Sequence, residues 1–168
     1  MNFILGEKDT AYTLLNRISG AEAVLQKSIY NFIEEKYDEA LSDKKNLEDI
    51  NNVYTKTILK KTENTDFYKI ATAEALNEIN QPYFAKIILN KMIAENKNYR
   101  DVYLYLGNSF LIQNDIDNAY KILNIAKDKD PIYGLTYFLL AQTNFKDNKH
   151  DEGNKNLELA KKYGFITN

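Results

Sequence analysis

The chain has no cysteine, one histidine, two prolines and only six glycines in 168 residues. Without cysteine there are no disulfides, no thiolate catalysis and no sulfur-built zinc cluster, a composition compatible with a reducing compartment. The lone histidine, His150, falls between Lys149 and Asp151 at a predicted inter-helix turn, with no second imidazole to share a metal. Gly6, Gly20, Gly107, Gly134, Gly153 and Gly164 are scattered, so no phosphate-cradling glycine loop exists. Arginine is limited to Arg17 and Arg100 and the net charge is −2, which leaves no basic face for nucleic acid. The pairs Lys60-Lys61 and Lys161-Lys162 read as solvated surface. No segment approaches the ~20 apolar residues of a membrane span, and Phe3-Ile4-Leu5 is far shorter than a signal-peptide core. The expectation is a cytoplasmic chain without membrane insertion. Carboxylate pairs such as Glu34-Glu35 and Asp128-Asp130 lie on polar faces or in turns, so neither catalysis nor a cofactor is expected.

What is present is enough to bury a core, since 44% of the residues are apolar and 27% charged. The apolar residues follow a helical stripe. From Arg100 to Ile132 they predict helices at about Asp101 to Gln113 and Ile116 to Lys127, with Asn114 and Asp115 at the turn and Pro131 as the stop. Tyr137, Leu140, Ala141, Gly153, Leu157 and Ala160 recur about 34 residues later, predicting helices near Leu135 to Lys146 and Asp151 to Lys162. Stepping back, Ala85 and Leu89 align with Ala119 and Leu123. A hairpin of about Asp66 to Ile79 and Pro82 to Glu95 therefore precedes, with Pro82 in a first helical turn. The stretch Val102 to Phe110 also resembles a β-hairpin around Gly107-Asn108. The recurrence favours helix, because Leu140-Ala141 stands in that place in the next copy and suits no primed turn.

The first third differs. Stripes at Tyr12, Leu15, Ile18, Leu25, Ile29 and Phe32, and at Tyr37, Ala40, Leu47, Ile50, Tyr54 and Ile58, predict a long antiparallel hairpin. Its arms run from about Thr10 to Glu35 and Tyr37 to Lys61, and Ser19-Gly20 and Asn51-Asn52 are its weak points; if either pair breaks its helix, the region becomes three or four shorter helices instead. The expected division is an N-terminal hairpin over 1–62 and three repeats over 63–168 (approximately 66–99, 100–133 and 134–168).

With Tyr103-x-x-Leu106-Gly107-x-x-Phe110, then Ala119-x-x-x-Leu123 and Pro131, the chain resembles a tetratricopeptide repeat (TPR) protein. The resemblance implies an all-α, right-handed solenoid of antiparallel helix hairpins. Tyr103 stands where the consensus has tryptophan, Asn144 replaces an aromatic, Phe165 a proline, and Lys69 and Thr72 an aromatic and a leucine. In that family the first helices line a concave groove that holds peptide. By offset the partner-binding positions are Glu74, Glu78, Leu104, Asn108, Leu111, Leu135, Phe138, Gln142 and Phe145, with Phe67, Ile70 and Asn77 beside them. Asn108 and Gln142 would bond a ligand's backbone, the apolar residues would seat its side chains, and Glu74 and Glu78 would receive Lys or Arg. Ile70, Tyr105, Leu135 and Leu139 occupy the places of the basic and amide groups of the chaperone carboxylate clamp, so such a ligand is not expected.

The resulting expectation is a non-catalytic adaptor for a hydrophobic peptide or helix. The rival is a structural self-association module, or the terminal segment of a longer TPR array, lacking a polar capping helix. The partner is another protein or peptide, or a second copy of the chain. Leu135 to Ala141 is apolar almost all round and predicts a cover on its second face, from a ligand, another copy or the N-terminal hairpin.

Overall fold

The computed structural model describes residue 13 and residues 19–165. Among these the chain is all-helical, with ten helices, and it divides into two compact units, Met1–Lys61 and Thr62–Asn168.

The second unit contains α5 (Thr65–Glu78), α6 (Pro82–Ala94), α7 (Arg100–Ile112), α8 (Ile116–Lys129), α9 (Gly134–Lys146) and α10 (His150–Lys162), each packed on its sequence neighbour. The helical reading of Val102 to Phe110 holds, as all of it lies in α7. The period is written in the backbone. Asn80, Asn114 and Asn148, 34 residues apart, take left-handed φ values of 58°, 59° and 58° at the hairpin turns. In each turn the following N–H reaches back to a carbonyl in the helix's last turn: Gln81 to Leu76, Asp115 to Phe110 and Lys149 to Asn144, at 2.7–2.9 Å. This is the Schellman closure, which satisfies helix-end carbonyls and favours a residue tolerant of positive φ. Small residues recur at the same period: Ala73, Gly107 and Ala141 on the first helices, Ala85, Ala119 and Gly153 on the second, all buried. A Cβ on Gly107 would fall 2.6 Å from Leu123 Cγ, so α7 and α8 touch at a distance only glycine permits.

The register of α5 follows the same frame. Lys69, at the position of Tyr103 and Tyr137, is 7% exposed, and its ammonium reaches Glu95 at 3.4 Å. Thr72, at the position of Leu106 and Leu140, is fully buried with its hydroxyl unpartnered. At the start of α7, Arg100 binds Asp101 and reaches the α8–α9 connection, where it binds Asp130, at 2.6–2.7 Å, and lies 3.4 Å over the Tyr133 ring. One of the chain's two arginines is thus spent on structure.

The apolar surround of α9 receives a cover that the sequence reading sought elsewhere. The segment after α10 folds back, placing Tyr163 5.3 Å from Tyr137 and Phe165 4.6 Å from Phe138, ring centre to ring centre. Gly134 makes the approach feasible, since a Cβ there would meet the Ala160 carbonyl and the Phe165 backbone.

The Met1–Lys61 unit corrects the expected long hairpin. It contains α1 (Ala21–Ile33), α2 (Tyr37–Ala40), α3 (Lys44–Ile50) and α4 (Val53–Leu59) around Ile29, Phe32, Leu47, Tyr54 and Ile58. Gly20, at φ 98°, precedes α1 and breaks the proposed Thr10–Glu35 helix. Most of that helix's earlier part lies outside the described residues. The proposed Tyr37–Lys61 helix is broken twice. At the first break the Ser42 hydroxyl donates to the Glu39 carbonyl, an alternative to helix continuation. At the second, Asn51 turns left-handed and Asn52 caps α4 by accepting from the Thr55 N–H at 2.9 Å. Glu35, at φ 61°, makes the same closure as the three asparagines, with Lys36 N–H on the Asn31 carbonyl.

Candidate binding site

The first helices α5, α7 and α9 carry all nine predicted contact positions. Asn108, Leu111, Gln142 and Phe145 come together as walls of one cavity of about 340 Å³, completed by Ile112 and Lys146. These six are three pairs of equivalent positions, 108 with 142, 111 with 145 and 112 with 146, so corresponding positions of α7 and α9 meet in one cavity. Asn108 is partly exposed and Gln142 exposed, leaving amide groups at the mouth, while Leu111 and Phe145 form an apolar floor. Phe145 is held by α10, where Gly153 leaves no room for a Cβ beside its ring. The Lys146 ammonium donates to the Leu111 carbonyl at 3.1 Å across the cavity.

Leu104 does not line the cavity: it lies two turns before Leu111 on the same side of α7 and is fully buried among Leu111, Ala119, Leu123 and Leu139. Leu135 and Phe138 are half-buried against that core rather than in the cavity, and Phe138 is further occupied by Phe165. Asn77 is also internal, at 4% exposure: its amide donates to the Tyr105 carbonyl at 2.9 Å and its oxygen accepts from Ser109 at 2.8 Å. It ties α5 to α7. Phe67 and Ile70 do not line the cavity, and Phe67 is 60% exposed.

Glu74 and Glu78 lie on α5. Glu74 is half-buried and accepts a hydrogen bond from the Tyr105 hydroxyl; burial, with the charges of Glu78 and Asp101, pushes its carboxyl above the ordinary range. The Tyr105 phenol is pushed up in turn, by burial and then by Glu74. Glu78 is exposed and ends the helix.

Ile112 and Lys146 were missed from sequence. The signal was available, because they stand 34 and 68 residues after Glu78, a position already singled out. Their residue types, apolar then basic, did not match the acid.

A second cavity, of about 330 Å³, lies in the N-terminal unit among α1, α2 and α3. Several of its polar groups are engaged with one another: Asn46 bonds Asp43, and Asn31 and Ser42 both bond the Glu39 carbonyl. His150 is exposed at the start of α10. Among the described residues no three carboxylate or imidazole groups converge as metal ligands, and no helix is long and apolar enough to cross a membrane. Comparison with protein-family models and with curated proteins finds no match to this sequence.

Proposed function

We propose that the chain is a tetratricopeptide-like right-handed solenoid that works as a non-catalytic adaptor, holding a segment of another protein against α5, α7 and α9. The observation that carries this reading is the cavity whose walls repeat pairwise at the 34-residue period. Regularly spaced amides above an apolar floor suit a regular main chain with alternating side chains, bonding the first and burying the second. Catalysis has no such support, and the absence of cysteine suits a reducing, cytoplasmic setting. Selection from a displayed random-peptide library tests the reading. Wild type enriches apolar-containing peptides, and the double variant Asn108→Ala/Gln142→Ala, with an unchanged circular dichroism spectrum, loses them at least tenfold. Equal enrichment by both proteins overturns it.

Self-association is the second reading. It rests on Phe67, Tyr99 and Ile132, 60%, 46% and 68% exposed, the first in the opening turn of α5 and the others just before the starts of α7 and α9. Light scattering across a wide concentration range decides, since a dimer that dissociates in Ile132→Asp favours this reading and a monomer throughout favours the adaptor.

A further inference from the structure

Equivalent positions on the first helices do not carry equivalent charge. α5, α7 and α9 end on Glu78, Ile112 and Lys146, each two residues before its left-handed asparagine. One turn earlier stand Glu74, Asn108 and Gln142. The row therefore runs from acid, through an apolar and amide middle, to base.

Glu74 has the Tyr105 hydroxyl as a partner, but Glu78 has no such support from the fold. Glu78 sits at the electronegative C-terminus of α5, whose last turn holds no basic residue, and one turn from the Glu74 carboxylate. Helix dipole and like charge both oppose it, and no cation pairs with it among the described residues. Lys146 has the opposite situation, a favourable helix end and a carbonyl partner at the cavity mouth. A charge placed against local preference on an exposed row is what a binding surface shows and a folding surface avoids.

Resting on the reading that this row holds a protein segment, we propose that the segment is charge-polarised and that its charges, whichever way its chain runs, set how it lies along the row. A cationic side chain lies over Glu78 and Glu74, an apolar side chain fills the cavity between α7 and α9, and a carboxylate meets Lys146. Neighbouring helix axes lie about 8–10 Å apart, so the two ends are separated by about 20 Å. An extended segment covers that in about six residues at about 3.3 Å each. A segment charged with one sign throughout meets repulsion at one end or the other.

The test uses the full chain and two blocked seven-residue peptides, one with lysine first, leucines in the middle and glutamate last, the other with the charged ends exchanged. Each carries a benzophenone beside its lysine. Both peptides are expected to crosslink to α5, and in Glu78→Lys/Lys146→Glu, where both sites are exposed, the crosslink moves to α9. Glu78→Lys alone weakens both peptides about tenfold at low salt. Binding with crosslinks spread over both helices, or unmoved by the exchange, overturns the polarity while leaving the groove reading standing. Crosslinking no greater than that of an uncharged glycine-serine peptide overturns the groove reading, and the polarity with it.

Discussion

The ring of Phe165 lies against that of Phe138, centroids 4.6 Å apart and planes inclined by 36°. Phe165 stands 34 residues after Pro131, and instead of stopping a helix it covers the helix before. The same return brings the Phe165 N–H to the Ala160 carbonyl at 2.9 Å, closing α10 beyond the left-handed Gly164. Phe165→Ala therefore removes a cover, not only a contact. A loss of about 2 kcal/mol in urea unfolding is expected, with new binding of a hydrophobic dye at the bared face of α9. An unchanged midpoint would show that the ring contributes nothing.

Thr72 occupies a position that is leucine in the next two copies, and its hydroxyl has no partner in a site of zero exposure. Replacing the hydroxyl by a methyl group of similar volume removes a buried unmet polar group without opening a cavity. Thr72→Val is expected to stabilise by about 1 kcal/mol. Thr55→Val, also fully buried, is the control: its hydroxyl donates to the Asn52 carbonyl at 3.1 Å, and the same change there destabilises. If the two variants shift alike, hydroxyl partnering does not explain Thr72.

The turns make a third prediction. Asn114 is held at φ 59° between α7 and α8, so Asn114→Gly is expected to be neutral or slightly stabilising, whereas Asn114→Val costs about 1–2 kcal/mol through the strain of a β-branched residue there. Thermal melts of the two variants, run against wild type, check the order.

These sites also show how far the sequence could be read. The three C-terminal hairpins were legible because small residues and turn asparagines recur at one period, and each marks a physical constraint, either a close helix contact or a left-handed turn. The N-terminal unit was legible only in part, because its breaks are local contests: the weak points at Ser19-Gly20 and Asn51-Asn52 do break, while the break at Ser42 went unseen. Ser42, Asn51 and Asn52 offer the backbone other hydrogen bonds within an unbroken apolar stripe, and periodicity measures only the stripe. The site was half legible for a related reason. Offset placed Asn108, Leu111, Gln142 and Phe145 on the cavity, but residue type alone could not separate Leu104 from Leu111, which lie two turns apart on one face of α7 and both pack in the core, Leu111 alone also reaching the cavity. Ile112 and Lys146 escaped because their position is conserved in geometry and not in chemistry.

Gly107 makes the contact constraint testable. With Leu123 Cγ at 2.6 Å and its backbone N at 3.3 Å from the place of a Cβ, Gly107→Ala must push α7 from α8 or move Leu123. Helix propensity alone would favour alanine by about 1 kcal/mol, and overpacking opposes it by about 1–3 kcal/mol. Net destabilisation is expected in wild type, and it should be relieved in Gly107→Ala/Leu123→Ala relative to Leu123→Ala alone. A double-mutant cycle measures that coupling. Additivity would mean that the two helices do not meet there.

Glu74 sets the sign of a pH effect. Its carboxyl lies above its ordinary value of 4.5 in the folded chain, first because burial disfavours the charge and then because Glu78 and Asp101 add to it, against the bond from Tyr105. A group whose folded pKa is raised binds its proton more tightly when folded, so its contribution is fully present below the unfolded value and is lost as pH rises through the folded one. Glu74 thus weakens the fold at neutral pH relative to acid. Glu74→Gln retains an oxygen that accepts from Tyr105 and removes the charge. The variant should match wild type near pH 4, pull ahead as pH rises above the ordinary carboxylate range, and keep a constant lead once wild-type Glu74 is fully ionised. Urea midpoints at half-unit pH steps would trace that divergence. If the curves ran parallel from pH 4 to pH 8, the carboxyl would titrate as it does in the unfolded chain and the half-buried Glu74–Tyr105 pair would carry no charge penalty.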